Sequence, residues 1–313
     1  MPTDVVCDSV LDMIGNTPLV HLRSLSRATR CTILAKAEFS NPGGSSKDRV
    51  AAAMVQEAEA SGALAPGGTL VEATSGSTGV SLALVARARG YGCLLVVPDD
   101  TSGEKLAMMR ALGAEVEVVK PAPIASEDNA VNVARRRAKE RPGSVFCDQF
   151  ENLANMRAHE RGTGAEIWRQ TGGEIDAFVM SAGTGGTLAG VSRYLKARRP
   201  SLRVVLVDPP GSALYHRTAA RPQSALLVVP QLPASSGLGR TLPGLRLLCS
   251  RDEPPGGRTV LMRSGSSHRR LAPARSTVVY YRLRTSRRGA RRALLRPAAG
   301  AVGAPAQAQR DGF

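Results

Sequence analysis

Nine residues, Asn41-Pro42-Gly43-Gly44-Ser45-Ser46-Lys47-Asp48-Arg49, end a loop of small side chains on a lysine at the mouth of a helix. The run that follows, Val50 to Val55, reads as helix, with Pro42 and the two glycines as the punctuation before it. A cation there faces the positive end of the helix dipole, so its charged form is disfavoured. That placement is poor for stability and useful for a nucleophilic amine of the Schiff-base kind. Taken alone, the nine residues are equally compatible with a surface lysine lying along an ordinary loop.

Two further loops narrow the choice. Thr69-Leu70-Val71-Glu72 reads as a short buried strand, followed by Ala73-Thr74-Ser75-Gly76-Ser77-Thr78-Gly79 and a helical run from Val80 to Arg89. Ile175 to Ser181 reads as another strand, followed by Ala182-Gly183-Thr184-Gly185-Gly186-Thr187 and a helix from Leu188 to about Arg198. A tight loop feeding a helix N-terminus offers free N–H groups and a positive dipole end, which together make an anion site. Three such loops, one bearing a lysine, suggest an enzyme holding a phosphorylated cofactor and a carboxylate substrate. Two rival motifs fail. A dinucleotide fingerprint lacks its last glycine, because Leu188 stands there, and Gly76-Ser77-Thr78-Gly79 lacks the spacing of a nucleophile elbow.

The motifs NPGGSSKDR, EATSGSTG and SAGTGGTLAG, in that order, resemble those of the cysteine synthase and cystathionine β-synthase family of pyridoxal-phosphate enzymes. Ile14-Gly15-Asn16-Thr17-Pro18-Leu19-Val20, Lys105 to Ala114 and Asp148-Gln149-Phe150-Glu151-Asn152 add to the resemblance, which runs from about residue 12 to about residue 212. It implies pyridoxal 5'-phosphate as cofactor and Lys47 as the Schiff-base lysine, acting later as acid or base at the substrate α-carbon. It implies that Gly183, Thr184, Gly185, Gly186 and Thr187 cradle the cofactor phosphate. Thr74, Ser75 and Thr78 would grip the substrate carboxylate, which Gln149 also approaches. Ser77 departs from the pattern: the family usually has asparagine there, bonded to the cofactor ring oxygen. The shorter hydroxyl implies a longer or water-carried contact. For Thr74 and Thr78, turn and helix-cap chemistry is an alternative that the same hydroxyls could serve.

The fold expected from the resemblance is α/β, with two domains built on parallel-rich sheets and the cofactor in the cleft between them. Strands alternating with helical runs as far as residue 208 give the same class from the residues alone. Residues 7–50 and 153–217 would form a discontinuous large domain, and residues 51–152 a small mobile one inserted in it. The expected activity is β-replacement on a serine-type amino acid, foremost O-acetylserine sulfhydrylation to cysteine. Cystathionine formation and serine or threonine dehydration are the alternatives, as is a catalytically impaired homologue with a basic tail. The implied partners are the amino acid, a sulfide or thiol, and a second copy of the chain in a homodimer.

Charge looks at first like a nucleic-acid signal, since the formal net charge is +16. Residues 218–313, however, hold 17 arginines against three acids, which leaves the first 217 residues close to neutral. The excess belongs to that one segment, so it says nothing about the partners of the three loops. The segment has no lysine, is rich in proline, serine, glycine and alanine, and shows little periodicity outside Thr277 to Tyr281. It is expected to be irregular and not to complete the large domain. Its Ser264-Gly265-Ser266-Ser267 resembles the family's pyridine-nitrogen segment too superficially to carry that role. The five cysteines form no C-x-x-C pair and no metal spacing, so no metal is expected. Cys93 and Cys147 read as small core residues of a reducing compartment. No apolar run reaches membrane length, and the start resembles neither a transit nor a secretory peptide, which points to the cytoplasm with mitochondria still open.

Overall fold

A computed structural model describes residues 6–208, together with the backbone of two later strands. In chain order the elements are β1 (Leu19–His21), α1 (Arg23–Thr29), β2 (Thr32–Lys36), α2 (Lys47–Ala60), β3 (Thr69–Ala73) and α3 (Ser77–Arg89). They continue with β4 (Gly92–Pro98), α4 (Gly103–Ala111), β5 (Glu115–Val119), α5 (Ala130–Glu140) and β6 (Ser144–Phe146). Then come α6 (Ala154–Ala158), a π-helical segment (His159–Gly164), α7 (Ala165–Gln170), β7 (Ala177–Ser181), α8 (Gly186–Arg198) and β8 (Arg203–Asp208). The last two are β9 (Leu226–Pro230) and β10 (Thr277–Tyr280).

The strands form two sheets. One is all parallel, in the order β5-β4-β3-β6. The other runs β1-β2-β10-β7-β8-β9, parallel except for the β1–β2 pair. Strand β4 shows why the small sheet forms. Cys93, Leu95 and Val97 pack on one face with α2 and α3, and Leu94 and Val96 on the other with Val133 and Ala134 of α5. A strand buried on both faces needs the unbroken apolar run that Cys93 to Val97 supplies. Each fully buried Val or Leu side chain contributes about 1.5–3 kcal/mol. In the large sheet Phe178 and Met180 face Ile167, Val191 and Leu195, while Ala177 and Val179 face Cys31, Ile33 and Val205.

Helices α3 and α8 begin two or three residues earlier than their apolar periodicity suggests, because the small-residue loops supply the first turn. Gly90 closes α3 in the left-handed conformation, φ 76°. Of the segment expected to be irregular, the described residues are two strands that join the large sheet: β9 beside β8, and β10 between β2 and β7. Both are short apolar or β-branched runs that suit a parallel ladder. Ser264–Ser267 and the rest of that segment lie outside the described residues.

Candidate active site

Lys47 is the first residue of α2, and its backbone N–H donates to Ser45 Oγ at 3.1 Å. Its side chain is half-buried, and burial lowers the ammonium's pKa. Among the described residues no carboxylate pairs with it. The neighbouring Asp48 is fully buried and staples the loop. Its Oδ2 accepts from Gly43 N at 2.6 Å and its Oδ1 from Ser81 Oγ of α3 at 2.5 Å. Burial raises the Asp48 carboxyl, against the pull of those two bonds.

Arg49 fixes the same turn from below. Its Nη1 donates to Glu166 Oε1 at 2.6 Å, and its Nε to Glu38 Oε2 at 2.8 Å. Lys36 Nζ donates to Glu166 Oε2 and to the carbonyl of Thr17, both at 2.5 Å. The motif Ile14–Val20 closes around this cluster: Asn16 N donates to Glu166 Oε1 at 2.9 Å, and Thr17 Oγ1 to Glu38 Oε1 at 2.5 Å. Burial alone would raise the Glu166 carboxyl, but Arg49 and Lys36 outweigh it and hold it at about 2. Burial pulls the Lys36 ammonium down, offset in part by Glu166.

In the second loop Thr78 and Gln149 meet. Thr78 Oγ1 donates to Gln149 Oε1 at 2.7 Å, and Gln149 Nε2 donates to the Ala73 carbonyl at 3.1 Å. Thr74 Oγ1 accepts from Gly76 N at 3.1 Å, which is the turn chemistry foreseen as its alternative role. Ser75 and Ser77 are exposed, and Ser77 opens α3. Lys105 Nζ donates to the Ser75 carbonyl at 3.2 Å. Beneath the loop, the buried Glu72 accepts from Ala73 N at 2.9 Å and from Gln149 N at 3.1 Å.

In the third loop Gly185 is the N-cap of α8 at φ 85°, a conformation suited to glycine, and offers the helix no side chain. Cβ atoms added at Gly183 or Gly185 would point into open space. Thr184 Oγ1 accepts from Asn155 Nδ2 at 2.8 Å, and Thr187 Oγ1 lies 3.0 Å from His159 Nε2. His159 is fully buried, with Nδ1 2.9 Å from Thr163 Oγ1. Burial, with the Lys47 and Arg49 charges nearby, pushes the imidazolium well below its usual range, so the ring is neutral.

Comparison with known proteins gives the family. Residues 10–252 match the family model described as pyridoxal-phosphate dependent enzyme. The chain belongs to that family. It is 57% identical over 216 residues to cysteine synthase 2 of Neurospora crassa, covering 65% of this chain and 47% of the relative. It is 44% identical over 212 residues to cystathionine beta-synthase of Apis mellifera, covering 67% and 42%. The crystal structure of O-ureido-L-serine synthase superposes with a TM-score of 0.64 at 39% identity, covering 68% of this chain and 66% of that one. The chain spans about half the length of the curated relatives it matches.

The residues present fit the family's cofactor. A half-buried amine, a helix N-terminus capped by a glycine and the open side of Gly183 and Gly185 are what an aldehyde-bearing phosphate ester needs. Sequence reasoning left out Asn155, His159, Glu72 and the Lys36–Glu166–Arg49–Glu38 cluster. One signal for the first two was present: Asn155, His159 and Thr163 recur every fourth residue, which puts them on one helix face. Among the described residues no helix is long and apolar enough to cross a membrane.

Proposed function

We propose that this chain catalyses pyridoxal-phosphate-dependent β-replacement on a serine-type amino acid, with O-acetylserine and sulfide as the leading substrates and cysteine and acetate as products. The observation that supports this most is a continuous path joining the three loops. Asp48, next to Lys47, holds Ser81 of α3; Thr78 of α3 holds Gln149; the Gln149 carbonyl accepts from Asn155, which also holds Thr184. An amine, a carboxylate grip and a phosphate cradle are thereby fixed relative to one another, as group transfer at an amino acid requires.

In this reading Gly183 to Thr187 hold the cofactor phosphate, with α8 supplying N–H groups. Thr74, Ser75, Thr78 and Gln149 orient the substrate carboxylate, and Ser77 faces the cofactor ring. The cofactor, when bound, supplies the electron sink that makes the α-carbon acidic. Lys47 holds the cofactor and then carries the α-proton, a task suited to an amine whose pKa burial has lowered. The two-sheet architecture supports a small domain at residues 51–152 that closes over the substrate, and the family resemblance supports a homodimer.

The test is turnover by the purified chain with pyridoxal 5'-phosphate, O-acetylserine and sulfide, read as cysteine formed. Cysteine formation that depends on Lys47 supports the reading. Cystathionine from serine and homocysteine, or an oxo acid without added thiol, would move the assignment to one of the alternatives. No reaction with any of these would refute it.

A further inference from the structure

Asn155 is the link that joins Gln149 to the phosphate loop. Its side chain is 3% exposed and lies on α6, outside all three loops. One nitrogen, Nδ2, donates both to the Gln149 carbonyl at 2.9 Å and to Thr184 Oγ1 at 2.8 Å. Its Oδ1 is buried, has no hydrogen-bond partner among the described residues and lies against Gly186, where an added Cβ would collide with it. The amide orientation follows from chemistry, because a carbonyl only accepts and the NH2 end must therefore face Gln149. An unpaired buried carbonyl carries a penalty, and the NH2 end of the same amide bridges Gln149 and Thr184.

The effect on Thr184 is specific. Its oxygen accepts from Asn155 and, at 3.4 Å, from Gly186 N. With its acceptor positions occupied in this way, the hydroxyl hydrogen is left to donate outward, toward an anion in the loop. The same NH2 group sets the backbone of Gln149, whose side chain holds Thr78.

We propose that Asn155 is a positioning residue that couples the phosphate loop to the carboxylate grip, so that an anion held at Thr184 tightens amino-acid binding at Gln149. This rests on the functional reading above. By linkage the coupling is reciprocal, so the amino acid also tightens the cofactor.

The experiment uses the cofactor-loaded chain and reads L-serine affinity from the cofactor's absorbance. Four proteins are compared: wild type, Thr184→Val, Asn155→Leu and the double variant, with Asn155→Asp as a near-isosteric control should the leucine variant fail to fold. Thr184→Val is expected to weaken L-serine binding about fivefold or more in wild type, the lower end of ordinary coupling, and to leave it unchanged in the Asn155 background. Cofactor affinity should fall in the Asn155 variants and no longer respond to L-serine. The same Thr184 effect in both backgrounds would overturn the coupling while leaving the functional reading intact. Failure of wild type to take up the cofactor would overturn both, and a loaded wild type that does not respond to L-serine would overturn the coupling alone.

Discussion

Replacing Glu166 with Gln tests the buried cluster under Lys47 and yields a number. In the folded chain the Glu166 carboxyl is held at about 2, against an ordinary value of 4.5. A drop of that size is worth about 3–4 kcal/mol at ~1.4 kcal/mol per pH unit. Because the folded value is the lower one, this stability is fully present above pH 4.5 and is lost as pH falls towards 2. A second route gives a similar figure, since removing one partner of a buried ion pair costs about 3–5 kcal/mol through the stranded charge. Here the stranded groups are Lys36, left with Thr17 and Gln170, and Arg49, left with Glu38 and Thr17. Urea unfolding at pH 7 and fixed cofactor concentration should therefore place Glu166→Gln about 3–4 kcal/mol below wild type. The steep loss of stability between pH 4.5 and 2 should flatten in the variant. Arg157→Ala is the control, because the Arg157–Glu57 pair at 2.9 Å is more than a third exposed on both sides and should cost under about 1 kcal/mol. A Glu166→Gln penalty no larger than the control's, or an unchanged acid limb, would refute the reasoning.

Two other outcomes follow. Glu72 is buried, and burial pushes its carboxyl up to about 8 against the pull of the Gln149 and Ala73 N–H groups, so wild-type stability should fall as pH rises from 4.5 to 8. Glu72→Gln should remove that slope and gain on wild type above pH 8 in chemical unfolding; a parallel slope in both proteins would show that Glu72 does not titrate there. Thr78→Val removes the hydroxyl that donates to Gln149 and should raise KM for the amino acid roughly 5–10-fold, the worth of about one hydrogen bond, with cofactor affinity unchanged. Steady-state kinetics beside a cofactor titration would check this, and an equal loss in cofactor affinity would count against it.

The small-residue loops were legible because their requirement is local. Glycine, serine and threonine between an apolar run and a helix leave few conformations, and Gly185 at φ 85° is one of them. Strands such as Cys93 to Val97 were legible because a stretch buried on both faces must be apolar throughout. The buried ion cluster was not, because Lys36, Glu38, Arg49 and Glu166 are ordinary charged residues until the chain brings together positions 130 residues apart. Asn155 and His159 stood one helical turn apart in plain view, but their importance lies in Thr184 and Thr187, on another element. The two later strands were hardest to foresee, because Thr277–Tyr280 pairs with β2 and β7 from far along the chain and carries no local mark of that place.

The central claim is that Lys47 holds the cofactor between the phosphate loop and the carboxylate grip. The most direct measurement is the visible absorption of the purified chain with pyridoxal 5'-phosphate, before and after sodium borohydride, with the reduced adduct located by peptide mass. The account predicts a protein-bound band in wild type, a stable adduct on the peptide containing Lys47, and neither in Lys47→Ala. An adduct on another lysine, such as Lys36 or Lys105, or a band that survives in Lys47→Ala, would contradict it.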